Sequence, residues 1–180
     1  MMRIEEIQKM ILSGLFLALA LVLPFFTGSI QALGASFLPM HLPIILCGFI
    51  CGPKYGGLIG FISPLLRSLL FSMPPLYPVA IAMSFELAIY GFITGIIYMS
   101  FKKNVVNIYF SLIIAMIAGR IVLGIANVIL LGLDGVAYSF SAFISAAFVV
   151  ALPGIIFQLV AIPIIVFALQ EVDKQNRFST

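Results

Sequence analysis

The chain has 180 residues, of which 63% are hydrophobic and only 8% charged, with a mean hydropathy of +1.28. A soluble domain carries about 25% charged residues and cannot hide this much apolar surface at this size, so the composition excludes a soluble fold and points to a lipid bilayer. The net charge of +3 comes without any basic patch interleaved with aromatic residues, which excludes nucleic acid as a partner.

At about 20 residues per crossing, the length accommodates five to seven helices in one membrane domain over residues 1–180. Residues 1–9 form a charged, amphipathic start. Residues 10–26, MILSGLFLALALVLPFF, read as the first span, with Pro24 and Gly28 marking its outer end. A signal peptide is the competing reading, but Glu5 and Glu6 flank the segment and the small residues near 32–35 make a poor cleavage site, so the span is expected to be retained. Gly14 and Ala18 stand four apart and allow close approach of another helix in lipid. That neighbour is either a helix of the same chain or another subunit.

Residues 27–42 carry no acidic or basic residue other than His41 and are long enough to fold back over the surface as a lid. Residues 43–52 make a short second span, and CGPKYGG a tight turn with one lysine. The third span, residues 58–71, is interrupted by Pro64 and runs into SMPPLYP, where three prolines stiffen the loop. The fourth, residues 79–98, is closed by Lys102 and Lys103. The fifth, residues 105–131, contains Arg120 and Asn127, and residues 132–138 turn around Asp134. The sixth covers residues 140–169, with Pro153, Gln158 and Pro163, and ends in a polar tail.

With six spans, Arg3, Lys9, Lys54, Lys102, Lys103, Lys174 and Arg177 fall on one side and only Asp134 on the other. Basic loops stay on the cytoplasmic side. The fold class is therefore all-α integral membrane with six transmembrane helices, both termini in the cytoplasm, in the cell membrane. Cys47 and Cys51 are four apart on one helical face, but a metal site needs further ligands and His41 is the only histidine, so no metal or other cofactor is expected.

Charges inside hydrophobic runs carry the functional signal, because each costs about 2.5–3.5 kcal/mol at the centre of a bilayer. Arg67 lies near the outer end of span three, and Glu86 about two turns below the outer end of span four, with Tyr90 one turn further along the same face. Arg120 is mid-span in the fifth helix, and Asn127 shares its face two turns outward. These groups are expected to converge in the outer half of the membrane, with His41 at the mouth and Gln158 deeper. The simpler alternative is an ion pair of Arg67 or Arg120 with Glu86 that only joins helices, and His41 as a loop cap. Two arginines against one carboxylate, however, leave a surplus buried positive charge, which a ligand carboxylate would complete.

The block LPMHLPIILCGFICGPKYG followed by SPLLRSLLFSMPPLYP resembles the substrate-binding S-component of an energy-coupling-factor (ECF) vitamin transporter, and the likeness extends over nearly the whole chain. It is most similar to the pantothenate-type members. The resemblance implies a non-catalytic subunit that binds a water-soluble vitamin from outside beneath the loop between spans one and two. It also implies docking through the first helix on a transmembrane coupling protein driven by two ATPase subunits. On this chain the docking motif falls at Gly14 and Ala18, with Gly where the family has Ala. Substrate binding falls to Arg67, Glu86, Tyr90, Arg120, Asn127, His41 and Gln158. The chain itself has no GxxxxGK[ST] phosphate loop, so ATP chemistry belongs to its partners. The competing classes are a non-transporting scaffold of cell-shape type, which needs no charged pocket, and an intramembrane enzyme, for which one histidine and no paired carboxylates offer little acid–base chemistry.

Overall fold

The structure is a computed structural model that describes residues 4–27, 36–102 and 104–178, with side chains described for 5–27, 36–102 and 104–171. Most of the expected lid, residues 28–35, lies outside the described residues, as do Arg3 and Lys103 from the topology argument.

Helix α1, Ile4–Val22, passes into a 3-10 turn at Leu23–Thr27. The change coincides with Pro24, which has no N–H to continue the α ladder. Helices α2, His41–Cys51, and α3, Pro53–Phe71, are separated by Gly52 alone, whose φ of 95° is open to glycine at little cost. The tight turn expected over CGPKYGG thus shrinks to one residue. Pro53 opens α3, at the position where a missing N–H is no loss.

The proline loop contains cis bonds at Met73–Pro74 and Tyr77–Pro78 and leads through a wide turn at Leu76–Ala80 into α4, Ile81–Ser100. Asn104 then caps α5, Val105–Leu133, by accepting from the Asn107 N–H. The single sixth span expected over 140–169 is instead broken at Ala151. A short helix α6, Phe140–Ile144, widens into a π turn at Ser145–Val150, and α7 restarts at Leu152–Phe178. Pro153 explains the break: it cannot donate to the Val149 carbonyl, which takes the Ala151 N–H instead.

Among the described residues, four stretches are long and apolar enough to cross a membrane: Glu5–Phe26, Leu76–Ser100, Val105–Leu133 and Leu152–Glu171. Helix α3 has 19 residues but includes Lys54 and Arg67. Helix α2, at 11 residues, rises only about 16 Å, roughly half the ~30 Å hydrocarbon layer. The chain is an all-helical, multi-pass membrane protein whose described residues contain no strand.

Helix α4 lies at the centre. Glu86, Tyr90, Thr94 and Tyr98 follow one another at four-residue spacing and are all buried, with Leu87, Gly91 and Gly95 on the adjoining stripe. The glycine stripe meets Gly56 and Gly60 of α3. A methyl group on Gly56 would sit 2.6 Å from the Gly91 carbonyl oxygen, and one on Gly60 or Gly91 would run into the backbone of Leu87 or Gly56. Gly48 of α2 meets the same point of α4. Lipid offers no hydrophobic drive for helices to associate, so backbone contact of this kind is what holds them. Helix α5 packs on α4, α7 against α2 and α5, and α1 over α2 and α3.

Candidate functional site

Three helices bring their polar residues to one place. The His41 N–H bonds back to the Leu38 carbonyl at the start of α2, which puts the imidazole beside α4. Its Nε2 lies 3.5 Å from Glu86 Oε1. From the other side, Arg120 Nη1 of α5 comes within 3.0 Å of the same oxygen. Tyr90, one turn beyond Glu86, sets its ring edge-on to the His41 ring with centroids 5.3 Å apart. Its hydroxyl is close enough to Glu86 and Arg120 to feel both charges. Glu86 is 1% exposed and Arg120 4%, so this is an interior ion pair rather than a surface one.

The convergence requires a glycine that the sequence reading did not single out. Gly119, directly before Arg120, faces the Tyr90 ring, and a methyl group there would lie 2.6 Å from two ring carbons. The available signal was the Gly-Arg dipeptide inside a helix, since glycine in a helix interior costs about 1 kcal/mol against alanine unless packing requires it. A second unforeseen contact is Gly154 of α7, where a methyl group would lie 2.6 Å from the Ser36 carbonyl oxygen. The chain entering α2 thus rests on the helix that carries Gln158.

Hydrogen bonding separates this cluster from the other buried polar groups. Ser63, Thr94 and Ser111 each donate to the carbonyl one turn back, at 2.6 Å, the ordinary way a hydroxyl is satisfied inside a membrane helix. In contrast, His41 Nδ1 and Nε2, Tyr90 Oη, Arg120 Nε and Nη2, and both amide atoms of Gln158 are buried without a hydrogen bond of ordinary geometry among the described residues, although Tyr90 Oη lies close to Arg120 and His41 Nε2 close to Glu86. Buried polar atoms are usually paired, so such a concentration calls for a specific explanation. Gln158 is fully buried on α7, the helix packed against α2 and α5.

Arg67 and Asn127 go elsewhere. Arg67 is 3% exposed; its guanidinium donates to the Leu21 carbonyl in the last turn of α1 and lies 4.7 Å from the Phe25 ring and 5.5 Å from that of Phe71. A cation near a helix C-terminus and against aromatic faces is held by the dipole and by cation–π attraction. No ion pair joins it to Glu86 among the described residues, so the surplus positive charge expected beside Glu86 is not found there. Asn127 is half-buried and lies beside the Tyr138 side chain in the turn after α5. Burial raises the Tyr138 hydroxyl above its ordinary pKa, and Asn127 partly offsets this. Gly14 and Ala18 are exposed, with nothing near a methyl group placed on Gly14. With Ile11 and Leu15 they form an outward face, opposite the buried Ser13, Phe16 and Ala20.

Residues 8–169 match the family described as ECF transporter, substrate-specific component. The chain belongs to this family. No curated protein and no solved structure matches it. Membership makes the chain a substrate-specific transporter subunit rather than an enzyme, working in a bilayer with ECF membrane and ATPase modules.

Proposed function

We propose that this chain is the substrate-binding subunit of an ECF-type vitamin importer in the plasma membrane. It captures a small carboxylate-bearing vitamin, pantothenate foremost, from outside and delivers it inward with an ATPase-driven coupling module. In this reading the helices make six crossings, α2 and α3 contributing the second and third and α6 with α7 the last, and both termini are cytoplasmic.

The observation that carries the proposal is the state of Arg120. Its Nη1 is taken by Glu86, while Nε and Nη2 make no hydrogen bond of ordinary geometry among the described residues. Those two nitrogens form the side edge of the guanidinium, a pair of parallel donors whose spacing matches the two oxygens of a carboxylate. Glu86 thereby orients the fork without filling it. Tyr90 Oη, which lies beside Arg120, and the Gln158 amide, without a hydrogen bond among the described residues, suit the hydroxyl and amide groups of pantothenate. Arg67 supports the site from a distance by holding the end of α1, and Asn127 by fixing the turn after α5. The outward face at Gly14 and Ala18 serves docking on the coupling protein.

Calorimetry of the purified protein against the water-soluble vitamins tests this reading. Pantothenate is expected to bind tightly, and Arg120→Lys, which keeps the charge but removes the fork, to weaken it by about 10–100-fold, the worth of one or two charge-assisted hydrogen bonds. Tight binding of an uncharged vitamin alone would overturn the carboxylate assignment. Binding of none by a well-folded sample would favour a non-transporting scaffold.

A further inference from the structure

We propose that the site takes up a proton together with its carboxylate ligand, and that His41 is where the proton goes. The inference rests on the carboxylate reading above and concerns how the charge of that ligand is balanced.

One oxygen, Glu86 Oε1, faces both Arg120 Nη1 at 3.0 Å and His41 Nε2 at 3.5 Å. With a neutral imidazole, the cluster holds one positive and one negative charge. A ligand carboxylate on the free edge of Arg120 adds a second negative charge among side chains that are all nearly inaccessible. An uncompensated charge in such surroundings is strongly unfavourable. Imidazole is the side chain that changes charge near neutral pH. Protonation leaves two cations facing two carboxylates, with the His41 Nε2–H directed at Glu86.

Among the described residues, Glu86 itself is the one other proton acceptor at this point, and replacing His41 separates the two. Glu86 and Arg120 are the charges that act on His41. Tyr90 of α4, already protonated, faces it with its ring, and α7 offers the neutral Gln158. The titratable side chains of α1 (Glu5, Glu6 and Lys9), and Lys54 and Tyr55 of α3, belong to the opposite end of α2, where Lys9 acts on Cys51. Arg67 of α3 is committed to the Leu21 carbonyl. Cys47 and Cys51, on α2 itself, are occupied with each other. The chemistry balances simply: imidazole and a proton from water give imidazolium, and the reverse occurs on release.

The test is calorimetry of the full chain with pantothenate, or with biotin if that binds more tightly, in neutral buffers of different ionisation enthalpy. The expected result is net uptake approaching one proton per vitamin bound, with affinity falling by up to about tenfold per pH unit above neutrality. His41→Gln is expected to bind more weakly, with no proton uptake and no pH dependence. Where that variant does not fold, His41→Asn serves: its amide likewise cannot take the proton and leaves the Glu86–Arg120 pair in place, so uptake is again expected to vanish. Tight binding by wild type without proton uptake overturns the inference and leaves the vitamin reading intact. Uptake that persists in His41→Gln or His41→Asn overturns the assignment to His41. Failure of every carboxylate vitamin to bind removes both.

Discussion

Separating Glu86 from Arg120 is expected to be far more damaging than removing both. The two are 3.0 Å apart, which at an effective dielectric of ~20 corresponds to a Coulomb attraction of about 5–6 kcal/mol. Much of this is offset by the cost of taking both ions out of water. Losing one partner forfeits the attraction while the desolvated survivor remains, so Glu86→Leu or Arg120→Met alone is expected to cost about 3–5 kcal/mol. For a chain of this size that corresponds to a fall of roughly 10 °C in Tm. The double variant removes both ions along with their desolvation penalty and is expected to lie within about 1 kcal/mol of wild type. The assay is thermal unfolding of the four proteins in one detergent, read as a double-mutant cycle. A double variant as unstable as the sum of the two singles, or a single as stable as wild type, would refute the reading of these residues as a buried pair.

The glycine seam predicts that Gly60→Ala and Gly91→Ala each destabilise by at least about 1–3 kcal/mol through overpacking. Gly14→Ala, where nothing stands in the way, should be neutral or stabilising by up to ~1 kcal/mol; equal thermal stability of all three would contradict the packing described. Arg67→Met, which loses the Leu21 carbonyl bond and both ring contacts, is expected to lower stability by about 1–2 kcal/mol. Its effect on vitamin affinity should be smaller than that of Arg120→Lys, and the reverse order in calorimetry would return Arg67 to the binding site. Ala18→Leu, on the outward face of α1, should leave vitamin binding intact yet reduce ATP-driven uptake in vesicles with the coupling module. Undiminished uptake would move docking to another surface.

The membrane class was legible from composition, because no amount of folding hides so apolar a chain in water. Glu86 and Tyr90 were legible as a pair because helical periodicity fixes which residues share a face. What periodicity does not fix is how neighbouring helices are rotated towards each other. Depth and face left Arg67 and Arg120 as equal candidates to pair with Glu86. Only the packing of α5 on α4, made possible by Gly119, selects Arg120. Asn127 shows a related shortfall: seven residues from Arg120 it keeps the face but lies about 10 Å further along the axis, where Tyr138 meets it. The break at Ala151 was signalled by Pro153, but a proline is tolerated inside α3 and α7, at Pro64 and Pro163. Its effect depends on whether neighbouring helices make up for the lost bond.

The most direct measurement is to identify the small molecule that stays with the protein through purification from vitamin-replete cells, by extraction and mass spectrometry. The account predicts a carboxylate-bearing vitamin, pantothenate foremost, near one per chain in wild type and absent from Arg120→Lys. A folded wild-type protein that repeatedly carries no such molecule and binds none when offered, or one that retains its vitamin undiminished in Arg120→Lys, would contradict it.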